Sequence, residues 1–179
     1  MRQSQKMAVS GLLTALAAML MLLVSVVPTG SYALPAAAGV LVYIISFVVS
    51  RSYAWMSFAA VSLLSLFLCA DKEAAFVFVL FFGYYPLLKR WLDKIRLRVL
   101  AFLLKLMVFN AAAFGVYGLL LWLFGLSEES FRLFGMYLPW LFLFLVNILF
   151  VVYDYALTRF VVSYEQKINK FVTNLWRRF

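Results

Sequence analysis

Residues 89–98 read Lys89-Arg90-Trp91-Leu92-Asp93-Lys94-Ile95-Arg96-Leu97-Arg98, five cations and one acid set between two long apolar stretches. Basic residues collect on the cytoplasmic side of membrane-spanning helices, so this run predicts a cytoplasmic connection and orients the chain on either side of it. Working outward, the gaps between apolar stretches alternate in charge. Toward the N-terminus, Lys72 sits between Asp71 and Glu73, Arg51 marks the gap before it, Pro28 to Leu34 has no cation, and Arg2 and Lys6 precede the first stretch. Toward the C-terminus, Arg132 follows Glu128 and Glu129, and Arg159, Lys167, Lys170, Arg177 and Arg178 close the chain. The alternation predicts six crossings with both ends in the cytoplasm.

The expected fold is all-α: a polytopic membrane protein built as a bundle of six transmembrane helices. The spans read as about 7–27, 35–50, 53–70, 74–89, 102–126 and 136–158, which makes 1–158 the membrane domain and 159–179 a basic amphipathic cytoplasmic tail. A helix needs roughly 20 apolar residues to cross a hydrocarbon core of about 30 Å. Six of them consume a chain of 179 residues, 67% of them hydrophobic, with a mean hydropathy of +1.02, so no soluble domain fits beside them. The first stretch exceeds the roughly 7–15 residues of a signal-peptide core and reads as a retained helix.

The net charge of +9 does not point to nucleic acid. All of the 16 basic residues except Lys72, Lys105 and Arg132 lie in segments assigned to the cytoplasm, where an anionic headgroup layer is their natural partner. Cys69 is the sole cysteine and histidine is absent, so neither an intrachain disulfide nor a Cys/His metal site is expected. The sequence contains no phosphate-binding GxxxxGK[ST], no HExxH and no GxSxG, and without histidine most hydrolytic chemistry loses its usual base. The expectation is a protein that is not an enzyme and carries no cofactor.

Local signals refine the plan. Arg51 and Ser52 leave room only for a tight turn, so the second and third helices form an antiparallel hairpin. Pro28 to Tyr32 has turn chemistry, and Pro35 suits a first helical position. Leu92, Ile95 and Val99 share a helical face with Trp91 at its edge, which predicts a short amphipathic helix over 91–99 on the membrane surface. Ile168, Phe171, Val172 and Leu175 give the tail a similar stripe, either an interfacial anchor or a docking surface. Pro86 cannot donate a backbone N–H, so the fourth helix should kink near Phe82, beside Gly83.

Three groups of residues are candidates for function. Ala8, Gly11, Ala15 and Ala18 line one face of the first helix, where small side chains let helix backbones approach closely in lipid. That face packs either on another helix of this chain or on a separate membrane subunit. A comparable set, Ala111, Gly115 and Gly118, reads as internal packing. Within the spans, Lys105 and Asp154 fall at a shared depth and Asn110 faces Asn147. The two charges form an ion pair, or escape separately to the interface, or serve as an ion relay. On the outer face Tyr32, Asp71, Glu73, Tyr117, Trp122, Tyr137 and Trp140 are either a boundary belt of aromatics with charged loops or the walls of a solute pocket.

A six-helix chain of this length, with the Ala8/Gly11/Ala15/Ala18 face and a Pro28-Thr29-Gly30 outer turn leading into Leu34-Pro35, resembles the substrate-binding S components of energy-coupling-factor transporters. The resemblance implies that the small-residue face docks on a transmembrane coupling subunit driven by cytoplasmic ATPases, in a bacterial plasma membrane. It also implies capture of a vitamin-like solute near the outer face, and toppling of the subunit to release it inward. The nickel and cobalt branch uses N-terminal histidines, which this chain lacks. Two other readings compete: a membrane scaffold of cell-envelope morphogenesis, similar to the short multi-helix rod-shape subunit, and a small ion-coupled carrier using Lys105 and Asp154.

Overall fold

The computed structural model describes residues 2–27, 30–124, 132–133, 136–137 and 143–160. Six helices account for nearly all of them: α1 Gln3–Leu23, α2 Ala33–Val48, α3 Arg51–Leu68, α4 Lys72–Leu92, α5 Arg98–Phe124 and α6 Leu143–Phe160. Five are long and apolar enough to cross a membrane, and α2, at 16 residues, is shorter. Each apolar stretch coincides with a helix, but the ends move. The span expected from residue 136 is helical from Leu143, and Met136–Tyr137 instead pairs antiparallel with Arg132–Leu133. The tail stripe Ile168 to Leu175 lies outside the described residues, as do Pro28, Thr29, Glu128, Glu129 and Trp140.

Caps and turns set the connections. Ser50 begins α3, its hydroxyl accepting from the Tyr53 N–H at 3.5 Å, so only Val49 and Ser50 separate α2 from α3. Asp71 caps α4 by accepting the Ala74 N–H at 3.0 Å, with Glu73 in the first turn where a negative charge meets the positive helix end. Pro35 falls two residues inside α2, still within the first turn, where its missing N–H is no loss.

Contacts between helices show that they run alternately up and down. Thr14 of α1 donates to Ser57 of α3 at 2.7 Å, and the Ala70 N–H after α3 donates to Ser25 after α1 at 3.0 Å, so α1 and α3 are parallel. Eight buried residues make α2 the packed partner of both and of α4. At one end of the bundle Arg51 lies over the Trp91 ring at 5.0 Å and Arg90 donates to the Ser46 carbonyl at 3.2 Å. This is called the basic end below, and the end holding Asp71 and Glu73 the acidic end.

One expectation is corrected here and a second is made specific. Residues 91–99 form no separate helix: α4 runs through Leu92, a turn takes Asp93 and Lys94, and α5 starts at Arg98. The connection is too short to hold a helix between two spans. The break in α4 is a wide turn over Phe78–Phe82 closed by the Gly83 N–H donating to the Phe78 carbonyl at 2.7 Å. Pro86 has no N–H to offer the Phe82 carbonyl, and that oxygen instead faces Gly39 of α2, where an added Cβ would sit 2.1 Å from it. The two backbones touch because neither side chain intervenes.

Candidate functional site: a buried charge cluster and an open helix face

The basic end of the bundle contains a four-charge cluster shared by α4, α5 and α6. Asp154 of α6 accepts from Lys89 Nζ at 2.5 Å and from the Tyr85 hydroxyl at 2.6 Å on one carboxylate oxygen, and from Lys105 Nζ at 3.2 Å on the other. Asp93, at the end of α4, bridges the same two lysines, 3.4 Å from Lys89 and 2.5 Å from Lys105. Lys89 is 1% exposed, whereas the Asp93 side chain is 43% exposed and forms the mouth of the cluster. Two cations and two anions balance, which removes the cost of an unpaired charge in a low dielectric.

Helical spacing builds half of this cluster. Tyr85, Lys89 and Asp93 recur every four residues and therefore lie one above another on the inner face of α4. Phe81 stacks on Tyr85 at 4.7 Å and Phe109 on Phe150 at 4.6 Å, so an aromatic layer separates the charges from the middle of the bundle. Past that layer Asn110 and Asn147 pair reciprocally, Asn110 Nδ2 donating at 2.9 Å and Asn147 Nδ2 at 3.2 Å. Each amide also donates to the carbonyl four residues back on its own helix, at 2.8 Å, so all four donor hydrogens are used. Lys105 and Asp154 are thus paired. Lys89, Asp93 and Tyr85 complete the arrangement, and none of the three is among the site residues expected from the sequence.

The small-residue face of α1 is open. Ala8, Gly11 and Ala15 are exposed, and a Cβ built on Gly11 would meet nothing within 4 Å. Ala18 is half-buried against the core. Gly11, Ala15 and Ala18 line one wall of a groove of about 460 Å³, and Tyr53, Met56 and Ala60 of α3 line the other. Its floor is polar: Ser57 is 5% exposed, and the one hydroxyl proton of Thr14 is shared between Ser57 and, at 2.6 Å, the Ser10 carbonyl. Among the described residues, packing within the chain occupies this face only at Ala18. On α5 the internal-packing expectation fails among the described residues: Ala111, Gly115 and Gly118 are all exposed, a Cβ added to Gly115 would only touch Leu80 at 3.7 Å, and one on Gly118 would meet nothing within 4 Å.

At the acidic end Tyr32, Asp71 and Glu73 come together. Ser31 donates to Asp71 at 2.9 Å and the Tyr32 hydroxyl donates to Glu73, which straps the α1–α2 connection onto the start of α4. Desolvation of the phenol end, and then the Glu73 carboxylate, push the Tyr32 pKa above the usual tyrosine range, so it stays a donor although 58% of the residue is exposed. Trp122 is 81% exposed, Tyr117 is half-buried, and Tyr137 takes part in the short ladder through its backbone. Neither a protein-family model, nor a curated protein, nor a solved structure matches the chain.

Proposed function

We propose that the chain is the substrate-capture membrane subunit of a multi-component importer, energised by separate ATPase subunits through a transmembrane coupling subunit. The observation that carries this reading is the open Ala8/Gly11/Ala15 face, which a helix of another membrane protein could approach closely. In this reading the helices make six crossings of a bacterial plasma membrane, with the N-terminus, the C-terminus and the basic end cytoplasmic. The 16 residues of α2 rise about 24 Å, and the bilayer meets them by thinning or by tilt of the bundle. A vitamin-like solute would enter at the acidic end, where the Tyr32–Glu73 and Ser31–Asp71 strap would have to part. This reading assigns no residue a catalytic role.

The test is Ala15→Trp, which fills the groove from an exposed position and leaves the core alone. The expected result is a folded protein that no longer co-purifies with a coupling subunit and ATPases. Normal assembly and uptake by the variant would remove the docking assignment. One observation favours the scaffold reading instead: both acidic-end carboxylates are already satisfied by Ser31 and Tyr32. Native mass spectrometry separates the two, since an importer subunit carries a small solute and a scaffold does not.

A further inference from the structure

The connection between α4 and α5 carries one acid, Asp93, and the buried cluster consumes it: Asp93 is bound to Lys105 at 2.5 Å and to Lys89 at 3.4 Å. Arg90 is likewise engaged, donating to the Ser46 carbonyl and lying 4.4 Å over the Phe47 ring. Three cations remain. Lys94, Arg96 and Arg98 are exposed and form no ion pair with any described residue. They alternate with Ile95, Leu97 and Val99, of which Leu97 is 66% and Val99 73% exposed, and Trp91 beside them is 61% exposed. Uncompensated positive charge interleaved with bare apolar side chains at the end of a bundle is the chemistry of a membrane interface: alkyl groups enter the acyl boundary while cations meet phosphates.

We propose that the α4–α5 connection is a binding site for the phosphate headgroup of an anionic phospholipid, held by Lys94, Arg96 and Arg98 and seated in the bilayer by Leu97 and Val99. Asp93 has two effects. It withdraws the local negative charge into the cluster, and it pins the connection to Lys89 and Lys105 so that the three cations are presented at one place. The proposal rests on the membrane reading and is independent of transport, so loss of the docking assignment would leave it standing.

The experiment compares the protein in nanodiscs of phosphatidylcholine with discs that also contain phosphatidylglycerol. Wild type should unfold at a higher temperature in the anionic discs, the excess should vanish with added salt, and native mass spectrometry should find phosphatidylglycerol retained. At about fivefold per cation, Lys94→Gln/Arg96→Gln/Arg98→Gln should weaken retention on the order of 100-fold. Arg2→Gln/Lys6→Gln removes two cations at the same end of the bundle but on α1, and should weaken retention far less. Equal unfolding temperatures for wild type in the two discs would overturn the proposal without any variant. So would full retention by the triple variant, equal loss in the Arg2/Lys6 variant, or displacement of the lipid by inorganic phosphate, which would mark a free-anion site.

Discussion

Asp154→Asn keeps the shape of the side chain and removes one charge from the cluster, leaving Lys89 and Lys105 with Asp93 alone. Lys89, 1% exposed, then loses its 2.5 Å partner and keeps Asp93 at 3.4 Å, while the Tyr85 hydroxyl loses its carboxylate. Breaking a buried pair by removing one partner costs about 3–5 kcal/mol. The remaining Asp93 places this case near the lower end, about 3 kcal/mol, or a fall in Tm of roughly 6–12 °C for a chain of this size. Lys89→Met alone leaves an excess anion still paired to Lys105 and should cost about 2 kcal/mol. Combined, the two leave Lys105 and Asp93 as a neutral pair, so the double variant should lose about 2 kcal/mol, well short of the sum. Thermal unfolding in detergent, followed by loss of the monodisperse peak on size exclusion, measures all three. A fall below about 1 °C for Asp154→Asn, or strict additivity in the double variant, would refute the cluster as a single electrostatic unit.

Gly39→Ala puts a Cβ 2.1 Å from the Phe82 carbonyl oxygen, so α2 and α4 must separate; a loss of at least about 3 kcal/mol is expected in the same assay. Gly11→Ala meets nothing within 4 Å and gains helix propensity, so it should be neutral or stabilising by up to about 1 kcal/mol. Asn147→Leu removes both bonds to Asn110 and should cost about 1 kcal/mol, with Asn110→Leu adding little once its partner is gone.

Much of the bundle was legible because a membrane restricts the options to apolar helices joined by short polar turns. The shared depth of Lys105 and Asp154 followed from their distances to Arg98 and Arg159, and the seven-residue step from Asn147 to Asp154 put both on one face. Lys89 was harder to read, since a cation at the head of a basic run looks like the start of a loop. The four-residue spacing of Tyr85, Lys89 and Asp93 was the available signal, and it shows that α4 continues past Lys89 with these three facing inward. Pro86 foretold a kink in α4, but the contact of the Phe82 carbonyl with Gly39 is tertiary, set by how α2 packs across the break. The surface helix expected over 91–99 failed for a related reason. Its periodicity was real, yet Leu92 already belongs to α4 and Val99 to α5, so the connection between them has no length for a helix of its own. Which side of α1 faces its neighbours is likewise decided by α2 and α3, not by the small residues themselves.

The most direct measurement is cross-linking from α1 inside the membrane. With a photoreactive side chain at Gly11 or Ala15, the account predicts capture of one discrete membrane protein that brings ATPase subunits with it. The same group at Trp122, exposed on α5, should capture only lipid. Lipid alone from Gly11 and Ala15, or the same capture from Trp122, would contradict α1 as the docking face.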